Sequence, residues 1–142
     1  MAKEVDATVT FIDGMAFTAA SGSGHEMTID AITEGRTETR GPTPMELLLM
    51  GTAGCTAMDV ISILQKKRQS VTAYQVKIHG VRADDHPMVY TAITIEHIVT
   101  GHKVSEDAVA RAIELSETKY CGASAMMRKT AKITTTHRII EA

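Results

Sequence analysis

The residues of this chain best suited to covalent or redox chemistry are its two cysteines, Cys55 and Cys121. They stand 66 positions apart and lack the CxxC spacing of a zinc or thioredoxin-type motif, so no metal site is expected from spacing. Two readings are open: a pair of core residues, or a reactive pair brought together by folding. A cysteine in an apolar helix is usually inert, because low polarity raises its pKa and suppresses the reactive thiolate. Cys55 sits in "MGTAGCTAMDV", among small residues that let another chain approach closely or leave room for a substrate. Cys121 falls at the end of one helical stretch and just before another, where the free N–H groups of a helix start favour a thiolate; a buried cysteine in a cap region is the alternative.

Other chemistries have less support. His25, His79, His86, His97, His102 and His137 are scattered without HExxH or a Cys/His cluster, and they read as surface or strand residues. The glycines of "SGSG", residues 21–24, lie between strand patterns and open no helix, which argues against a phosphate-binding loop. With 15 basic and 17 acidic residues the net charge is -2, without a block of like charge, so neither nucleic acid nor an anionic membrane surface is expected as a partner. The basic cluster Lys66-Lys67-Arg68 stands where a long helix should end and complements its dipole. The N-terminal "MAKEVDATVTF" alternates and does not have the pattern of a signal peptide, so a cytoplasmic location is expected.

The elements that must position the cysteines are set by periodicity. Val5, Ala7, Val9 and Phe11 alternate, Asp13-Gly14 turns a hairpin, Met15, Phe17 and Ala19 resume, and a third strand carries Met27 and Ile29. Residues 31–43 are polar and rich in turn formers. Thr43 suits the cap and Pro44 the first position of a helix running to about Arg68. Strands over Val71 to Arg82 and Met88 to Val99 are joined by "ADDHP". Ser105 caps a second helix whose Ala108, Val109, Ala112, Ile113, Ser116 and Tyr120 form one stripe; Gly122 breaks or kinks it. A short helix with Met126 and Met127 leads to a last strand, Lys132 to Ile140. The order is βββ-α-ββ-αα-β, one α+β domain over residues 1–142.

The long helix is apolar nearly all round, interrupted by Glu46, Gly51, Gly54 and Asp59, and six strands of soluble pattern need covering. One small sheet covers only one side of it. A homodimer with the long helices packed together and the sheets outside is therefore expected, in preference to a membrane span.

The segments "PTPMELLLMGTAGCTAMDV" and "SETKYCGASAMM" resemble the two cysteine motifs of the OsmC/Ohr family, the osmotically inducible and organic hydroperoxide resistance proteins. The likeness spans nearly the whole chain, which closely resembles the YhfA-like branch through Pro42 to Glu46, Ala53-Gly54-Cys55 and Ser62 to Lys66. The resemblance implies an OsmC-like intertwined homodimer with active sites at the subunit interface. It implies Cys55 as the nucleophile that attacks an organic hydroperoxide, Cys121 as the resolving thiol, no bound cofactor, and an external dithiol reductant of lipoyl or thioredoxin type. A small apolar hydroperoxide is the expected substrate, the alternatives being a non-catalytic dimeric protein that binds a small apolar ligand, or a thiol redox sensor.

The family's activating Glu and Arg have candidates in Glu46, Arg40 and Arg36. In the Ohr pattern the Glu directly follows the Pro that opens the helix; here Met45 follows Pro44 and Glu46 comes one place later, a rotation of about 100° on a helix. It is open to the partner subunit's site, to capping, or to pairing with a loop arginine. Gly122 occupies the place after the second cysteine where peroxidase members often have Pro.

Overall fold

A computed structural model describes residues 3–142. The order of elements is β1 (Ala7–Asp13), β2 (Ala16–Ser21), β3 (Glu26–Ile29), α1 (Pro44–Lys66), β4 (Ser70–Arg82), β5 (Tyr90–His102), α2 (Glu106–Leu115), a π-helical turn (Ser116–Tyr120), α3 (Gly122–Met127) and β6 (Lys132–Glu141). This is the α+β order expected from the sequence. Two compact units are present, the first up to Leu48 and the second Leu49–Ala142, with the division falling inside α1.

In the first unit β1, β2 and β3 form an antiparallel sheet in that order. The turn after Asp13 works because Gly14 takes a φ of 55°, open to glycine at no steric cost. Phe11 and Phe17 pair across the strands, ring centroids 5.5 Å apart in an edge-to-face contact. The polar segment after β3 is organised by Asp30, whose side chain is buried and accepts from the backbone N–H groups of Ala31 (2.8 Å) and Arg40 (3.1 Å) and from Arg36 Nη2 (3.2 Å). The N–H of Arg40, then that of Ala31, hold its carboxyl below the usual carboxylate range against the opposing effect of burial, and the Arg36 charge adds to them. Gly41 passes so close to this segment that a Cβ there would stand 1.9 Å from the Thr28 carbonyl oxygen.

The start of α1 is a reciprocal capping box. The Thr43 N–H donates to Glu46 Oε1 (2.9 Å), and the Glu46 N–H donates to Thr43 Oγ1 (3.2 Å). Pro44 takes the first helical position, where its missing N–H costs nothing. The helix stops at Lys66, and Arg68, at a φ of 55°, turns the chain away.

In the second unit β4 and β5 form a long antiparallel ladder from Ser70↔His102 to Arg82↔Tyr90. β6 lies on the other side of β5, parallel to it, from Ala92↔Lys132 to Gly101↔Glu141. A parallel pair requires a crossover, which α2, the π turn and α3 provide. The core joins Val60 and Leu64 of α1, Val99 of β5 and Ala108, Val109, Ala112 and Ile113 of α2. Of α1 only Thr52, Thr56, Val60 and Leu64, a stripe at every fourth residue, are buried. Met50 and Met58 remain 54% and 73% exposed.

α2 is capped by Ser105, whose hydroxyl accepts from the Ala108 N–H at 3.2 Å, as its sequence indicates. The stripe expected to run on through Tyr120 does not. The π turn closes with the Cys121 N–H donating to the Ser116 carbonyl at 2.8 Å, an i to i+5 bond. The extra residue rotates the next part of the chain, so Tyr120 is 52% exposed and Cys121 takes the buried position at 4%.

Candidate functional site

The π turn and α1 together bring the two cysteines to one place. Cys55 Sγ, Cys121 Sγ and a carboxylate oxygen of Asp59 all lie within 4.8 Å of one another. Cys55 and Asp59 are four residues apart on α1 and so share a face; Cys121 arrives from the junction between the π turn and α3. Neither thiol is in a disulfide.

Cys121 and Asp59 are held by donors. Cys121 Sγ accepts from the Ser124 N–H (3.3 Å) and the Ser124 hydroxyl (3.0 Å), so it caps the six-residue α3. The Ala123 N–H lies near Cys55 and favours its thiolate. Asp59 Oδ2 accepts from Ser116 Oγ at 2.9 Å, and Ser116 Oγ in turn lies 2.8 Å from Thr56 Oγ1. Ser116, Ser124 and Thr56 are buried, while Asp59 and Cys55 are half-buried, so the donors behind the site are shielded from water and restrict the rotamers of the groups they hold.

Burial pushes the Cys55 thiol up from its usual range, the Ala123 N–H pulls it down, and Cys121 and Asp59 push it up further. Cys55 is half-buried and Cys121 fully buried, which makes Cys55 the more approachable sulfur. A pocket of about 250 Å³ lined by Asp59, Ser62, Ile63, Lys66 and Tyr120 shares Asp59 with the sulfur cluster. Two sulfurs this close can join at a bond length of about 2.05 Å after modest motion. The arrangement can therefore store and release two electrons as a disulfide.

Of the residues expected from sequence, Cys55 and Cys121 are brought together. Glu46 is engaged in the capping box of α1. Arg36 pairs with Asp30 at 3.2 Å; Arg40 pairs closely with Asp13 and stands 3.9 Å from Asp30, all within the first unit. Sequence reasoning overlooked Asp59, Ser116 and Ser124. The available signals were spacings: Asp59 one turn after Cys55, and a serine three residues after a cysteine at a helix start.

A further polar group lies deeper in this unit. His97 on β5, expected as a surface or strand residue, is fully buried, with Nδ1 2.7 Å from the Tyr74 hydroxyl; Nε2 has no hydrogen-bond partner among the described residues. Burial, and then the nearby His137, lower its pKa to about 4, so it is neutral.

Known proteins share this outline. The family model described as OsmC-like protein matches residues 34–136. Protein YhfA of Escherichia coli (strain K12) is 39% identical over 138 residues, which cover 97% of this chain and 100% of YhfA. The crystal structure of a hypothetical protein from Aquifex aeolicus VF5 superposes with a TM-score of 0.87 at 28% identity, covering 99% of each chain. The organic hydroperoxide resistance protein OhrB of Bacillus subtilis superposes with a TM-score of 0.63 at 16% identity, covering 94% of this chain and 98% of OhrB, a likeness of fold.

Proposed function

This chain belongs to the OsmC-like protein family, and from that membership we propose that it is a thiol-dependent peroxidase that reduces organic hydroperoxides. The observation that carries the reading is the convergence of Cys55 and Cys121, 66 residues apart in sequence, to within 4.8 Å. The Cys55 thiolate attacks the hydroperoxide oxygen distal to carbon and breaks the O–O bond, giving a Cys55 sulfenic acid and, after protonation, the alcohol. Cys121 sulfur then displaces water from the sulfenic acid and forms the disulfide, a step that outruns over-oxidation when the second thiol is already at hand. An external dithiol of lipoyl or thioredoxin type returns both thiols and leaves as its own disulfide. No bound cofactor takes part.

Assembly and substrate preference are inferred from the apolar surface. Length and composition would let α1 cross a membrane, at a hydropathy of 1.8, but its stripe Thr52, Thr56, Val60, Leu64 is buried within the chain. A second copy of the chain covers the exposed face with Met50 and Met58, giving a cytoplasmic homodimer without nucleic-acid or membrane partners. A lipid or aryl hydroperoxide suits such apolar walls better than hydrogen peroxide, since each buried methylene contributes about 0.8 kcal/mol.

Turnover tests the reading. Cumene hydroperoxide should be consumed with dihydrolipoamide as reductant, Cys55→Ser should abolish consumption, and Cys121→Ser should accumulate a sulfenic acid that dimedone traps. Thiols that stay reduced in excess hydroperoxide would favour a binding protein for a small apolar ligand. The upward push on the Cys55 thiol is the observation on that side.

A further inference from the structure

We propose that Cys55, Cys121 and Asp59 in the reduced protein form a binding site for a thiophilic divalent cation of the Zn²⁺ or Cd²⁺ type. Two sulfurs and one carboxylate oxygen converge within 4.8 Å of one another. A tetrahedral Zn²⁺ with bonds of about 2.3 Å to sulfur holds its sulfurs about 3.8 Å apart, so the cluster needs only a small contraction to close on an ion. Two thiolates and a carboxylate suit a soft or borderline cation and suit Mg²⁺ or Ca²⁺ poorly.

The surroundings hold two of the three ligands in place. The Ser124 N–H and hydroxyl donate to Cys121 and Ser116 donates to Asp59, so two of the three ligands are oriented by donors behind them, and the Ala123 N–H near Cys55 favours its thiolate. Among the described residues Asp59 takes part in no ion pair, and Lys66 is the basic residue that shares its pocket, so two thiolates and a carboxylate would carry more negative charge than this one side chain offsets. A water would complete the four-coordinate set, and a pocket of about 250 Å³ adjoins the Asp59 carboxylate. Binding converts two thiols and one aqueous cation into a bis-thiolate complex with release of two protons to solvent. The bound ion then engages on each sulfur the lone pair with which a thiolate would attack peroxide or the other sulfur, so cation binding and thiol oxidation exclude each other.

The inference uses the same sulfurs as the hydroperoxide reading, but is tested apart from it. Chelator-treated, fully reduced protein is titrated with Cd²⁺ under argon, and the sulfur-to-cadmium charge-transfer absorption in the ultraviolet is followed. The expected result is saturation at one Cd²⁺ per chain, competition by Zn²⁺, and an affinity lower by about tenfold or more in Asp59→Asn. Wild-type protein oxidised beforehand with diamide should show no absorption, a control that needs no variant. Absence of the band in reduced protein, its persistence in the oxidised protein, or an unchanged affinity in Asp59→Asn overturns the proposal. Metal-free protein that forms its disulfide rapidly with hydroperoxide but gives no band with Cd²⁺ overturns the cation site alone. A band from thiols inert to hydroperoxide upholds the cation site and overturns the peroxidase.

Discussion

Cys121 reaches Cys55 because the chain makes one π turn between Ser116 and Tyr120. The i to i+5 bond from the Cys121 N–H to the Ser116 carbonyl adds a residue to the turn, so the buried position of the α2 stripe passes from Tyr120 to Cys121. The same turn fixes Ser116, whose hydroxyl holds Asp59 beside both sulfurs. A local irregularity in one helix thus brings a thiol to its partner on another.

Ser116 is the keystone of that network, and Ser116→Ala leaves Asp59 and Thr56 without their donor and partner. A loss of about 1 to 3 kcal/mol in unfolding free energy is expected for reduced protein. Urea denaturation of the wild type and variant measures it, and a loss below about 0.5 kcal/mol would show the network to be slack.

Glu46 closes the capping box at the start of α1. Glu46→Ala should cost about 1 kcal/mol of stability through the capping box and leave the hydroperoxide reaction of Cys55 within about twofold of wild type. Stopped-flow oxidation beside urea denaturation checks both halves. A large rate loss at unchanged stability would return Glu46 to the chemistry.

His97 gives stability a pH dependence of known sign. Folded, it titrates near 4; unfolded, near the ordinary value of about 6.5. As pH falls through 6.5 the unfolded chain takes up a proton that the fold refuses, so stability drops until pH reaches about 4 and the contribution levels off. The loss is on the order of 3 kcal/mol. The groups facing His97 are the Tyr74 hydroxyl and His137, the latter engaged by Glu106; Asp59 acts on Tyr74. Urea midpoints between about pH 7.5 and 4.5 should fall less steeply in His97→Gln. Parallel slopes would place the titration elsewhere.

The exposed side of α1 predicts self-association. Wild-type protein should sediment as twice 15.3 kDa, and Met58→Arg, at a position 73% exposed in the single chain, should shift it toward monomer. A monomeric wild type would leave the apolar face without its proposed cover.

Much of the frame is legible in the sequence because it rests on local rules. Asp13-Gly14 supplies the turn that opens at positive φ, Thr43-Pro44 starts α1 with the Thr43 hydroxyl capping, and Ser105 caps α2. The features that stayed hidden depend on partners distant in sequence. The parallel seat of β6 beside β5 is a choice among sheet edges, and His97 is buried by the elements around β5 and not by its neighbours in the strand. Asp59 reads as an interruption of an apolar helix until Cys121 and Ser116 arrive on the same face. The π turn has no strong marker, since Ser116 and Tyr120 both fit a regular helical stripe.

The pairing of the two sulfurs is tested most directly by peptide mapping of fully reduced protein after one equivalent of cumene hydroperoxide. A monomer-sized chain that has lost two protons, with the peptides of Cys55 and Cys121 joined, is the expected product. Peptides joined between chains, a lasting extra oxygen on Cys55, or two thiols untouched would each contradict it.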